Sequence, residues 1–157
     1  MINSAKHSIV LETPYFVPDE SFLEALKIAC NSGVDVKIIL PAIPDKKIVY
    51  YSTLSYAHDA SNFGAKIYLR KGFLHSKCLL VDGKTVSIGS CNADNRSFKL
   101  NFEVNTFIYD EEVAKRVQNI TKYDIENSVF VDKMWFKNLS LGKKFCINVS
   151  RLFSAIL

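Results

Sequence analysis

Hydrophobic positions along the chain switch between two spacings, and each switch marks an element. Ser8–Thr13 is a short apolar run bounded by polar residues and predicts a strand. From Pro18-Asp19-Glu20 the spacing turns helical, with Phe22, Leu23, Leu26 and Ala29 in step until Gly33 ends the helix. Val34–Leu40 reads as a buried strand closed by Pro41, about Lys47 to Phe63 as a helix stopped by Gly64, and Ala65–Arg70 as a strand. That is a β-α-β-α-β series. Leu74–Val81 and Thr85–Ser90 flank Asp82-Gly83, and Asp-Gly between apolar runs predicts a hairpin with a two-residue turn. Phe102–Tyr109 follows as a strand. Glu111 to about Asn127 reads as a helix whose first turn carries the acids that the helix dipole favours. The tail from Val131 to Leu157 predicts a short helix or two, with Trp135, Phe136, Phe145 and Phe153 packing back on the body. The fold class is α/β, a mixed β-sheet flanked by helices, and 1–157 forms one domain.

Composition narrows the classes. A chain of 157 residues holds one ordinary core, and 48% hydrophobic with 12% aromatic residues excludes a disordered or fibrous chain. The formal charge of +4 suits a partner that carries phosphate without telling nucleic acid from a lipid headgroup. No apolar stretch approaches the roughly 18–20 residues that a membrane-spanning helix needs, and Met1 to Ile9 does not read as a secretory signal. Cys30, Cys78, Cys91 and Cys146 lie far apart with no CxxC pair, so reduced thiols are expected, Cys78 as plain core.

The chemistry concentrates in the hairpin. Strand alternation puts His75 and Lys77 on one face, and a two-residue turn places His75 opposite Ser90, with Asn92 one diagonal step away. An imidazole, an ammonium, a hydroxyl and a carboxamide on one sheet face can hold a tetrahedral phosphate. The histidine attacks phosphorus as a neutral nucleophile while Lys77 and Asn92 stabilise charge on the non-bridging oxygens. Such a site calls for no metal and no other cofactor. Asp82 belongs to the candidate set, although its place in the turn gives Asp a local backbone reason to be there. Ser90 serves either the phosphate or the bend after its strand. His7 and His58 read as surface histidines, and Lys46-Lys47 and Lys143-Lys144 as solvated charge or contacts to anionic lipid.

His75, Lys77, Asp82, Gly89, Ser90 and Asn92 satisfy HxKx4Dx6GSxN in full. This resembles the HKD motif of the phospholipase D superfamily. Thr13-Pro14-Tyr15-Phe16, Ser32-Gly33-Val34-Asp35-Val36, Gly72-Phe73-Leu74-His75 and Asp94-Asn95-Arg96-Ser97-Phe98 through Asn101-Phe102-Glu103-Val104-Asn105 are similar to the C-terminal catalytic half of bacterial cardiolipin synthases. So is the ending Arg151-Leu152-Phe153-Ser154, with Ala155 where Pro is usual. The resemblance implies that His75 forms a phosphatidyl-histidine with one phosphatidylglycerol and releases glycerol, and that a second phosphatidylglycerol then takes the phosphatidyl group to give cardiolipin. It implies phosphate binding by Lys77 and Asn92, with Ser90 nearby, and orientation of His75 by the carboxylate of Glu103.

The sequence departs from the family in carrying one HKD motif where the chemistry needs two. The second comes either from a missing N-terminal half or from a homodimer partner across a two-fold axis. The implied partners are anionic phospholipid and a membrane surface, with the bacterial cell membrane as the parent enzyme's location and nucleic acid disfavoured. Two alternatives stand beside this reading: a homodimeric single-motif phosphodiesterase or nuclease, and a non-catalytic lipid-binding half-domain.

Overall fold

The structure, a computed structural model, describes residues 1–43 and 45–154. After a 3₁₀ turn at Ile2–Ser4 come β1 (Ser8–Glu12), β2 (Phe16–Val17), α1 (Glu20–Asn31), β3 (Asp35–Pro41), α2 (Lys47–Asn62), β4 (Lys66–Arg70), β5 (Cys78–Val81), β6 (Thr85–Gly89) and β7 (Ala93–Asp94). The chain continues through α3 (Asn95–Lys99), β8 (Asn105–Ile108), α4 (Glu111–Glu126), β9 (Ser128–Val131), α5 (Lys133–Lys137) and α6 (Leu141–Arg151). Seven strands form one mixed sheet in the order β8-β6-β5-β1-β3-β4-β9, and β2 pairs with β7 in a small second sheet. β1, β3 and β4 run parallel, while β5, β6, β8 and β9 join antiparallel.

Alternation along the strands divides the core. Ile9, Leu11, Val36, Ile38 and Leu40 face α1, α2, α5 and α6, while Val10, Ile39, Cys78, Leu80 and Val86 face Ala114 and Val117 of α4. Helix α2 lies between the sheet and α6, so its Ser52, Thr53, Ser55 and Ser61 are buried beside Leu54, Ala57 and Ala60. Carboxylates cap four helices: Asp19 accepts from Phe22 N, Asp94 from Ser97 N, Asp110 from Val113 N and Asp132 from Trp135 N.

The hairpin departs from the expected geometry. Asp82 and Gly83 both adopt left-handed backbone (φ 54° and 63°), and Lys84 N donates to Val81 O at 3.0 Å. Lys84 is then an extra residue, so Val81 pairs with Thr85 and the register moves by one. The strand begins only at Cys78, preceded by one further ladder bond from Gly89 N to Lys77 O at 3.3 Å. His75 therefore stands on a loop and not opposite Ser90. The strand expected at Phe102–Tyr109 is confined to Asn105–Ile108, and β2, β7, β9 and α3 are additions. In the tail Trp135 and Phe136 pack inward, but Phe145 and Phe153 stay exposed. His58 packs against Phe136 with ring centroids 4.8 Å apart, so it is not a plain surface histidine. Ala155 lies outside the described residues.

Asp82 sits at the end of β5 away from Lys77. Its carboxylate accepts from the backbone N of Lys6, His7 and Ser8, each at 2.8 Å, and so pins the entry to β1. Burial pushes this carboxyl up, yet the three N–H donors outweigh it and hold it below its ordinary value of 3.8. Asp82→Ala should cost roughly 2–3 kcal/mol at neutral pH, from lost charge-assisted bonds and a Cβ residue without Asp's tolerance of positive φ. The lowered folded-state value means that this stabilisation is present above the ordinary value and fades as pH falls through the folded one. Urea unfolding of both proteins at pH 7 and pH 3 checks this: the difference should shrink in acid.

Candidate active site

Lys77, Asn92 and Glu103 reach one cavity of about 500 Å³ whose lining also includes Ser97, Asn105 and the apolar rings of Phe22 and Phe98. Three pieces of backbone meet there. The first is the segment entering β5, which carries Lys77. The second is the stretch after β6, held by Thr13: its Oγ1 accepts from Ala93 N at 3.2 Å and donates to Tyr15 O at 2.8 Å, beside the β2–β7 pairing of Phe16 with Ala93. The Thr-Pro-Tyr-Phe segment thus staples the Gly-Ser-x-Asn segment in place. The third is the turn before β8, which carries Glu103.

Gly89 is where the second and third pieces cross. A Cβ there would lie 2.1 Å from Val104 O and 2.2 Å from Asn105 Oδ1, so no side chain fits. Ser90 N then donates to Val104 O at 2.9 Å, and Asn105 accepts from Cys91 N at 3.2 Å and donates to Ser87 Oγ at 3.0 Å.

Glu103 is the hub of the polar rim. It accepts from Ser90 Oγ, from Asn101 Nδ2 at 3.1 Å and from Ser97 Oγ at 3.5 Å. The Ser90 bond above all, with the other donors and the Lys77 charge, lowers the Glu103 carboxyl from its usual value. Burial lowers the Lys77 ammonium, against the pull of Glu103, Asp94 and Asp45. Its Nζ donates to His75 O at 2.8 Å, which folds the His75-Ser76-Lys77 segment into a tight bend. Asn92 Nδ2 donates to Ser97 Oγ at 3.4 Å, and the other end of its amide is buried without a partner.

His75 stands apart from this rim. Its exposed ring stacks on Phe73 with centroids 5.8 Å apart and lines a smaller cavity of about 140 Å³ with Pro14, Pro41 and Asp45. The Glu103 carboxylate is bonded to Ser90, Asn101 and Ser97 in this conformation, and not to the His75 ring. Among the described residues no group of three or more His, Cys, Asp or Glu side chains is placed to hold a metal ion.

Behind the His75–Lys77 segment lies a group that spacing does not single out. Glu12, 3% exposed at the end of β1, pairs across the ladder with Cys78 and leaves Oε1 without a partner. It lies beside the carboxylate of Asp124 of α4, which accepts from Arg70 Nε at 2.8 Å, and near Ser76. Burial first, then the Asp124 charge, pushes Glu12 up to about 7 from 4.5. A raised folded-state value means that the stability present in acid is lost as pH rises through about 7. Glu12→Gln should flatten that dependence and gain about 2–3 kcal/mol at pH 8, since each pKa unit corresponds to about 1.4 kcal/mol. Chemical denaturation from pH 5 to pH 8 reads it, and parallel pH profiles for the two proteins would refute it.

The comparison with known proteins decides the family. Residues 1–125 match the family described as "Cardiolipin synthase, PLD-like domain". The chain belongs to this family. The cardiolipin synthase of Oceanobacillus iheyensis is 48% identical over 158 residues, covering 100% of this chain and 33% of its own length. Cardiolipin synthase 1 of Staphylococcus epidermidis is likewise 48% identical, covering 100% of this chain and 32% of its own length. The chain therefore spans about a third of the length of the curated relatives it matches. Among solved structures, the phospholipase D family member Nuc from Salmonella typhimurium superposes with a TM-score of 0.73 at 25% identity, covering 83% of this chain and 86% of that chain. The phosphatidylserine synthase of Haemophilus influenzae shares the fold, with a TM-score of 0.71 at 18% identity over 98% of this chain and 42% of that chain. The motif positions of this cardiolipin synthase-like domain are His75, Lys77, Asp82, Gly89, Ser90 and Asn92. Only Lys77 and Asn92 of these reach the cavity, together with Glu103; Gly89 makes the crossing that lets them meet, and Asp82 ties down β1.

Proposed function

We propose that the chain is one catalytic half of a membrane-associated phosphatidyltransferase of cardiolipin synthase type, with phosphatidylglycerol as substrate. The observation that carries the reading is the convergence of Lys77 and Asn92 on one cavity next to the loop that carries His75, in a chain 48% identical throughout to cardiolipin synthases. A ring nitrogen of His75 attacks phosphorus in one phosphatidylglycerol. The bond from phosphorus to the headgroup oxygen breaks, and glycerol leaves with a proton from the histidine of a second HKD motif. The hydroxyl of a second phosphatidylglycerol then attacks, its proton passes to that same histidine, and the P–N bond to His75 breaks. Lys77 and the Asn92 amide, turned so that Nδ2 faces the phosphate, stabilise the equatorial oxygens. Ser90 supports this rim through Glu103. The exposed His75 ring turns inward from Phe73 to engage phosphate, where Glu103 takes its far nitrogen and favours the cation that develops. No metal or other cofactor enters these steps.

The second motif comes from the rest of a longer protein or from a second copy, and exposed Leu100, Phe102 and Val104 around Glu103 suit the surface that meets it. The match to most of Nuc, a protein of comparable length, favours a self-paired phosphodiesterase as the second reading. Conversion of phosphatidylglycerol to cardiolipin by a preparation that light scattering shows to be paired tests the first. If such a preparation leaves the lipid untouched and cleaves single-stranded DNA in EDTA, the second reading replaces it. Salt-sensitive vesicle binding with neither activity would leave only a lipid-binding half-domain.

A further inference from the structure

Helix α6 has two apolar faces, and the packing uses one. Ile147 and Ser150 turn inward toward α2, and Arg151 fastens the end of the helix to Asp59 and Ser55 and lies over the Tyr56 ring. Leu141, Phe145, Val149 and Leu152, spaced three or four residues apart, form a stripe on the opposite side. They are far from incidental exposure: Leu141 is 84%, Phe145 69% and Leu152 81% exposed. The surrounding charge is one-sided. Residues 133–154 contain Lys133, Lys137, Lys143, Lys144 and Arg151 and no Asp or Glu, so the segment holds the whole positive excess of a chain whose formal charge is +4. Lys144 and Arg151 run along one flank of the stripe, and exposed Lys137 lies beside Lys144, whose Nζ caps α5 by donating to Lys137 O at 2.7 Å, whereas Lys143 falls on the Ile147 side of the helix.

We infer that the outward face of α6 is a membrane-docking surface for an anionic bilayer, lying in the interface plane with Leu141, Phe145 and Leu152 among the upper acyl segments and the lysines at headgroup level. A narrow apolar stripe on a helix, bordered by cations, is what binding in that plane requires: apolar burial supplies the affinity and the lysines select anionic lipid. The one-sided charge favours this occupant over a protein, because an apolar protein face would leave the flanking lysines unpaired at its rim. The inference concerns a surface distinct from the phosphate cavity, and its test needs no turnover.

The test is sedimentation of the chain with phosphatidylcholine vesicles and with vesicles in which part of that lipid is replaced by phosphatidylserine, an anionic lipid that is not the proposed substrate. Binding to the anionic vesicles only, weakening with salt, is expected. Phe145→Ser with Leu152→Ser should lower the partition coefficient at least tenfold, since each removes a large apolar side chain from the interface. Lys137→Gln should lower it and weaken the salt dependence. All three positions are exposed, and an unchanged melting temperature confirms that the variants fold. Equal binding to both vesicle types, no binding, or partition unaffected by the Phe145/Leu152 pair would overturn the assignment. So would a wild-type dimer that this pair converts to monomer, which would give the stripe to a second copy. Failure of the cardiolipin assay with these results intact would count against the proposed chemistry alone.

Discussion

His75→Ala is expected to lower the rate of cardiolipin formation by about 10³-fold or more while leaving the protein folded. The size follows from the role. A nucleophile divides one displacement at phosphorus into two, and its removal abolishes the covalent route instead of weakening it. Stability should hold, because the ring is exposed and its aromatic contact is the equally exposed Phe73. The measurement is turnover of phosphatidylglycerol by paired protein, together with acid-labile phosphate on the enzyme after brief exposure to labelled substrate. Wild type should carry the label and the variant should not. Near-normal turnover in the variant would remove His75 from the mechanism. In a self-paired form both motifs lose their histidine at once, so nucleophile and proton donor disappear together.

Gly89→Ala is expected to be the most damaging change outside the reacting groups, at about 3 kcal/mol or more, with activity lost along with stability. The added methyl meets backbone: Val104 O at 2.1 Å and Asn105 Cα at 2.6 Å, neither of which can swing aside as a flexible side chain would. Relief requires β8 to move off β6. That breaks the bond from Ser90 N to Val104 O and shifts Glu103, which the same turn carries. Gly142 supplies the internal control. It lies in α6 with nothing within 4 Å of a built Cβ, so Gly142→Ala should be neutral or stabilise by up to about 1 kcal/mol. Denaturant midpoints for both variants check the pair, and equal midpoints would show that the crossing at Gly89 is not tight.

The two expectations differ in what makes them legible. His75 belongs to a motif whose residue types and gaps state a chemistry by themselves. Gly89 belongs to the same motif, but the reason for a glycine there is the backbone of Val104, which the turn before β8 brings against it. Glu12 is a stronger case. It reads as one polar position in an apolar strand, and only the fold seals it beside Asp124 and Arg70, behind Ser76. The hairpin shows how small the margin is. Asp82-Gly83 is legible as the turn, yet one extra residue at Lys84 changes which side chains oppose each other.

The sequence by itself determined the β-α-β-α-β order, the mixed α/β class and the identity of the candidate reacting groups. These are carried by periodicities and local preferences that act within a few residues and need no partner. Only the tertiary structure decided the two-residue strands β2 and β7, the bond from Ala93 N to a threonine 80 residues away, the place of His75 on a loop beside Phe73, and the face of α6 left open. Those features hold because distant segments satisfy one another's donors and fill one another's space, and a pairing energy that depends on the partner leaves no trace in the local pattern.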